Sequence, residues 1–152
     1  MPTGAVLNVF ILLAALLGGV AISAQGMING RLNMLLGSPI QAALISFSVG
    51  WLVLLSVSMV SGVGLPSPSR FAGAPWWIFL GGVAGAYMVA STSFGVPRIG
   101  SAAWISGVLT GQLLAALLFD HIGAFGQAVR PVTLEKLAGI AALLTGVWLI
   151  RK

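Results

Sequence analysis

Charged residues divide the chain into long apolar stretches. No Asp, Glu, Lys or Arg precedes Arg31, and the later charge-free stretches cover residues 32–69, 71–97, 99–119 and 137–150. Apolar positions run continuously through them instead of alternating, and only helices and closed barrels satisfy their backbone hydrogen bonds in lipid. Because a helix needs about 20 apolar residues to cross the hydrocarbon core, the pattern predicts an all-α, polytopic membrane protein with five transmembrane helices.

Prolines and tryptophans suggest where these helices begin and end. Ser38-Pro39 and Ala74-Pro75 precede the second and third helices, and we expect Pro97 to end the third. Trp residues also occur at several predicted helix ends, as in the aromatic belt of membrane proteins. We therefore place a single transmembrane domain over residues 1–152, with its spans at about 4–24, 40–60, 76–96, 99–119 and 134–150.

The composition excludes most soluble functions. Hydrophobic residues make up 59% of the chain and charged residues only 6%, against about 25% charged residues in soluble domains. Apart from Arg151 and Lys152, the basic residues are scattered singly, which speaks against nucleic acid as a partner. One histidine and no cysteine offer neither a metal-ligand cluster nor a disulfide. We expect no cofactor, no metal and no enzymatic activity.

The charges on the two sides of the membrane are nearly balanced. With five spans, Arg70, Arg130 and Lys136 lie on the side of the N-terminus, and the opposite side holds Arg31, Arg98, Arg151 and Lys152. The positive-inside rule therefore has little bias to act on. Either the orientation is weakly fixed with a cytoplasmic C-terminus, or the chain inserts both ways and pairs as an antiparallel homodimer, an arrangement that resembles the inverted repeats of secondary transporters.

Several segments resemble the YdcZ family of the drug/metabolite transporter superfamily. They are QGMINGRLN (25–33) with LGSP (36–39), ALISFSVG (43–50), PWW (75–77) with GGVAG (81–85), PRIG (97–100), and GQLL (111–114) with DHIGAFG (120–126). The resemblance implies a bacterial inner-membrane protein of five helices, similar to one half of the ten-helix transporters in the superfamily. In those transporters the two halves have opposite orientations, and the family also includes single chains, paired genes and fused forms.

Polar and aromatic side chains within the spans are the candidates for a substrate cavity. Gln112 lies near the centre of its span and must find a partner, because an unpaired amide in hydrocarbon costs several kcal/mol. Gln25, Asn29 and Asn33 recur every four residues and would share one helix face if the first helix continues past Ala24. The substrate-binding candidates are Gln25, Asn29, Trp51, Tyr87 and Gln112, with Ser46, Ser91 and Ser93 as weaker ones. Helix–helix hydrogen bonds, ordinary packing and a turn at headgroup level are the alternatives.

Two glycine pairs predict close helix packing. Gly81 and Gly85 share one face of the third helix, and Gly107 and Gly111 share one face of the fourth. Small residues at this spacing let helix backbones approach each other in membranes. We expect contacts there, either within the chain or between two copies.

No Asp, Glu, Lys, Arg or His lies near a span centre. Small multidrug exporters, a neighbouring family, carry a membrane-buried glutamate in their first helix, and this chain has no acid there. The cavity chemistry therefore suits a neutral or zwitterionic solute, or an anion met by Arg31 or Arg98 at the mouth. Proton coupling would have to use Asp120 with His121 beside it.

The charged residues at the membrane edges suggest gates that close the ends of the cavity. Asp120 lies on the opposite side of the membrane from Arg31 and Arg98, so these groups cannot meet within one chain. In an antiparallel dimer, Asp120 of one copy shares a side with both arginines of the other. We expect these three residues at the gates or mouths of the cavity.

The sequence thus favours a small-molecule secondary transporter of the inner membrane that works by alternating access as an antiparallel homodimer. Its expected partners are the lipid bilayer, a second copy and an unidentified small-molecule substrate. A non-transporting accessory membrane subunit and a channel are the alternatives. An unpaired polar group around a void at mid-membrane would favour the transporter, and a tightly packed centre would favour the accessory subunit.

Overall fold

The computed structural model describes residues 3–150, with side chains described from Val6 to Leu149. Arg151 and Lys152, two of the charges in the orientation count, lie outside the described residues. Residues 3–150 form α-helices and short 3₁₀ turns and contain no strand, which confirms the all-α prediction. The α-helices are α1 (Thr3–Leu36), α2 (Pro39–Val60), α3 (Leu80–Ile99), α4 (Ser101–Ile122) and α5 (Leu134–Ile150).

Within the described residues, four helical segments are long and apolar enough to cross a membrane. They are Val6–Leu36, Pro39–Val60, Trp76–Ile99 and Ser101–Ile122, and the third includes a 3₁₀ turn at Trp76–Phe79 before α3. The fifth helix has 17 residues and is about 26 Å long at a rise of 1.5 Å per residue. That length is slightly less than the roughly 30 Å hydrocarbon core.

The chain folds into two compact units, Met1–Arg98 and Ile99–Lys152. In the first unit, α1, α2 and α3 contact one another through polar and small side chains. The buried hydrophobic residues of the described chain are only Ala42, Ala43 and Val96, whereas Asn29, Asn33, Thr92, Ser93 and Ser106 are buried polar ones. Large apolar side chains point outward, as expected where lipid and not water is the solvent.

The first helix is longer than its predicted span. It continues past Ala24 without a break and ends at Leu36, before Gly37 with a φ of +71°. At 34 residues it is about 51 Å long. Gln25, Asn29 and Asn33 therefore share one helix face.

The third helix passes through Pro97 and ends at Ile99, so the expectation that Pro97 ends it is wrong. Proline has no N–H, which leaves the carbonyl four residues earlier without its intrahelical donor. That carbonyl belongs to Ser93, and it accepts a hydrogen bond from Asn33 Nδ2 of α1 at 2.8 Å. A side chain from another helix thus replaces the missing backbone bond. Gly100, with a φ of +82°, then separates α3 from α4.

In the second unit, α4 and α5 pack against each other and are joined by residues 123–133. The narrow gap between them is lined by Leu109, Leu113, Ile140 and Leu144, among others. Gly123 ends α4 in the left-handed conformation, with a φ of +63°. The Thr133 hydroxyl accepts a bond from the Lys136 N–H at 3.4 Å, as a residue preceding a helix commonly does.

Candidate functional site

The polar face of α1 holds the first unit together. Asn29 is 4% exposed, and its Nδ2 donates to Ser46 Oγ of α2 at 3.2 Å. Asn33 is similarly buried and bonds to Ser93 of α3, as described above. Two of the three amides on this face therefore join α1 to its neighbours. Asn29, a predicted cavity residue, lies in a helix–helix hydrogen bond.

Two glycines between these amides allow α1 and α3 to approach closely. A Cβ atom at Gly26 would lie 2.9 Å from Thr92 Cγ2, and one at Gly30 would lie 3.0 Å from Pro97 Cγ. The distance at Gly26 is shorter than real Cβ contacts, and the distance at Gly30 is shorter than most of them, so the close approach favours glycine at both positions. This pair was not among those predicted to pack, although Gly26 and Gly30 have the same four-residue spacing as the predicted pairs.

The four glycines that were predicted to pack differ in their surroundings. A Cβ at Gly85 would lie 3.3 Å from Phe47 Cζ, so this glycine packs against α2. No atom of the described chain lies within 4 Å of the Cβ position at Gly81, Gly107 or Gly111. The faces bearing those three glycines are open, and their role in packing stays a prediction.

A half-open cavity of about 320 Å³ lies between α1 and α2, and Gln25 in its wall is an exposed residue. Gly50 is in its wall, and it is the twelfth of the 22 residues of α2. The cavity therefore lies at mid-length of a helix that is just long enough to span the bilayer. Its lining residues are Gln25, Ser46, Phe47, Gly50, Trp51 and Leu54.

The polar groups of this cavity are in different hydrogen-bonding states. Ser46 Oγ accepts the bond from Asn29 and keeps its own proton to donate. The Gln25 carboxamide makes no hydrogen bond to any residue in the described part of the chain. An unpaired amide is costly in lipid. The cavity thus presents an unused polar group at mid-length of α2.

The remaining cavity candidates lie elsewhere. Tyr87 of α3 is 76% exposed and is absent from the cavity wall. Gln112 is an exposed residue of α4 in the second unit. Of the five candidates, the structure therefore brings Gln25 and Trp51 together. Ser46, only a weaker candidate, joins them through its bond to Asn29, and Phe47 and Gly50 were missed because no polar atom marks them.

The two arginines proposed for the mouths have different environments. Arg31 is exposed and lines a second groove of about 690 Å³ on α1, with Ile28, Leu32, Met34 and Leu35. The Arg98 guanidinium donates to the Phe94 carbonyl and lies 3.5 Å from the centroid of the Phe94 ring. The Arg98 side chain is thus folded back on the end of its own helix, where a cation complements the helix dipole.

Asp120 and His121 organise the connection from α4 to α5. The backbone carbonyl of Asp120 accepts a bond from the Arg130 N–H at 2.7 Å. His121 Nδ1 accepts from the Val132 N–H at 3.4 Å. These contacts fold residues 130–132 back onto the end of α4. The residues that the structure describes contain no group of three or more His, Cys, Asp or Glu able to hold a metal ion.

Comparisons with known proteins agree with the resemblance noted in the sequence. The family model described as "Putative inner membrane exporter, YdcZ" matches residues 10–149. The "Inner membrane protein YdcZ" of Escherichia coli (strain K12) is 22% identical over 134 residues, which cover 88% of this chain and 89% of that protein. No solved structure matches. Since the family model covers most of the chain, this multi-pass inner-membrane protein belongs to the YdcZ family.

Proposed function

We propose that this chain is a small-molecule secondary transporter that works by alternating access as an antiparallel homodimer. The observation that carries the proposal is the cavity at mid-length of α2, with the unpaired Gln25 carboxamide in its wall. Secondary transporters bind their substrates near the bilayer midplane. Membership of a family described as inner membrane exporters supports the same conclusion.

The state of the three α1 amides favours a binding site over the alternatives. A subunit that only packs against a larger protein does not need a half-open cavity beside the unpaired amide. A channel needs a continuous polar path, but Asn29 and Asn33 are bonded to Ser46 and Ser93 and leave Gln25 as the free amide on this face. A few free polar groups beside aromatic side chains, here Gln25 and the Ser46 hydroxyl, are typical of a small-molecule site.

The exposed polar and aromatic residues support pairing with a second copy. Tyr87 is 76% exposed, and Gln112 is also exposed. An inverted copy would cover such surfaces and complete a ten-helix assembly, with both units of each chain in one transmembrane domain. In this arrangement, Asp120 of one copy pairs with Arg31 or Arg98 of the other and closes a gate.

Transport can be tested in vesicles without knowing the substrate in advance. Proteoliposomes are loaded with the small-molecule fraction of a bacterial lysate, proton and sodium gradients are imposed, and solutes that leave are identified by mass spectrometry. We expect one or a few solutes to leave vesicles containing the wild-type chain. Gln25→Leu should slow this efflux about tenfold, since a lost hydrogen bond and an unmatched solute group together cost about 1.4 kcal/mol.

The matched control is Gln41→Leu, which makes the same change at an exposed position near the start of α2. It should leave efflux as in the wild type. Efflux of every small solute would indicate a channel. No efflux under any gradient would contradict transport and favour the accessory subunit.

Antiparallel pairing predicts that both orientations occur in cells. Reporters fused after Lys152 should appear on both sides of the inner membrane in comparable amounts, because the charge bias is nearly zero. Val63→Lys with Leu65→Lys adds two charges to the exposed α2–α3 connection, on the side of the N-terminus. This variant should move the C-terminal reporter to the periplasm. A single orientation of the wild-type chain would contradict the antiparallel homodimer and the Asp120 gate together.

A further inference from the structure

The wall of the α1–α2 cavity carries no charged side chain. All six lining residues are neutral, and four of them are apolar or aromatic or glycine. Arg31 lies six residues beyond Gln25 on α1, about 9 Å along the helix, and lines a different groove. Arg98 is engaged with Phe94. A charged solute that gave up hydration here would find no counter-charge in the wall, so these residues favour an uncharged one.

The hydrogen-bonding groups define what that solute must offer. The bond from Asn29 occupies an acceptor site of Ser46 Oγ and leaves the Ser46 proton available. Gln25 has an unpaired carbonyl and an unpaired NH₂ group. The wall therefore provides donors from Ser46 and Gln25 and an acceptor from Gln25. A group with a carbonyl and an adjacent N–H, which is an amide, matches this set.

Two aromatic side chains form the rest of the recognition surface. Phe47 and Trp51 are four residues apart on α2 and therefore share a helix face. Gly50 lies beside them, and nothing lies within 4 Å of the Cβ position at Gly50, so the space next to the rings is open. Flat rings stack favourably on aromatic faces. We infer that the cavity binds a small, uncharged aromatic amide through Gln25, Ser46 and Trp51.

This inference names the substrate class of the proposed transporter, and its physiological meaning rests on that function. Binding is measured separately from transport, by equilibrium dialysis of radiolabelled probes against the chain in lipid nanodiscs, with empty nanodiscs subtracted. The probes are benzamide, benzoate and benzamidinium, which have nearly the same shape but are neutral, negative and positive. We expect saturable benzamide binding, with both charged probes weaker by about tenfold or more.

Three variants locate the binding. Gln25→Leu should weaken benzamide about tenfold, and Gly50→Leu should abolish binding by filling the cavity. Both positions border open space, so neither change should lower the thermal stability of the chain. Gln41→Leu, outside the cavity, should bind benzamide as the wild type does.

Two results would overturn the inference. One is equal binding of the three probes, and the other is benzamide binding that survives Gln25→Leu and Gly50→Leu. The outcomes also separate this inference from the proposed function. Solute efflux from vesicles without cavity binding of benzamide refutes the site and leaves transport standing, whereas benzamide binding without any efflux refutes transport and leaves the site standing.

Discussion

Gly30→Leu is expected to separate α1 from α3 and to leave much less folded protein in the membrane. A Cβ at this position would lie 3.0 and 3.2 Å from Cγ and Cδ of Pro97. The proline ring is rigid and cannot rotate away, so the helices must move apart. Overpacking of this kind costs about 1–3 kcal/mol, and the movement also strains the Asn33–Ser93 bond. The midpoint of thermal unfolding in detergent measures the effect.

Gly18→Leu is the matched control for this change. Gly18 lies in the same helix, and nothing in the described chain is within 4 Å of its Cβ position. The unfolding midpoint of Gly18→Leu should equal or exceed that of the wild type, because leucine favours helix more than glycine does. Equal midpoints for Gly30→Leu and Gly18→Leu would show that the α1–α3 contact does not require glycine.

Asn33→Ala is expected to lower the free energy of unfolding by about 1–3 kcal/mol, the cost of a buried acceptor left without a donor. The reason is specific to Pro97, which supplies no N–H to the Ser93 carbonyl. Pro97→Ala restores that N–H within α3. In the Pro97→Ala background, Asn33→Ala should therefore cost much less. Unfolding of the two single variants and the double variant, compared as a double-mutant cycle, measures this coupling.

Asn29→Ala is the control for the cycle. Asn29 also donates to another helix, but its acceptor is Ser46 Oγ of α2 and not a carbonyl freed by proline. Asn29→Ala should cost the same in the wild-type chain and in the Pro97→Ala background. If Asn33→Ala is equally costly in both backgrounds, Asn33 does not act by replacing the missing backbone bond.

The positions of the helices follow from local chemistry and were largely evident in the sequence. Apolar stretches of about 20 residues can satisfy their backbones in lipid only as helices, and α2 to α5 lie within a few residues of the expected ranges. Ser38 before Pro39 indicated the start of α2, and the Ser38 hydroxyl accepts a bond from the Gln41 N–H at 3.3 Å. Such capping depends on residues close in the chain.

The ends of α1 and α3 depend on contacts between distant residues. Local rules count glycine as a weak helix former and proline as a helix breaker. Gly26 and Gly30 nevertheless continue α1, because they allow α3 to pack closely against it. Pro97 continues α3, because Asn33 bonds to the carbonyl that proline leaves free. Asn33 and Ser93 are 60 residues apart, and no local pattern pairs them.

For the candidate site too, some features were evident from the sequence and others depended on the tertiary structure. The sequence by itself determined an all-α membrane protein and put Gln25, Asn29 and Asn33 on one face of a helix, because hydropathy and helical spacing are local properties. Only the tertiary structure decided that Asn29 and Asn33 join helices, that Gln25 stays free, and that Ser46 and Trp51 lie beside it. Side-chain amides at equal spacing differ in role because each role is set by what the neighbouring helix places opposite it.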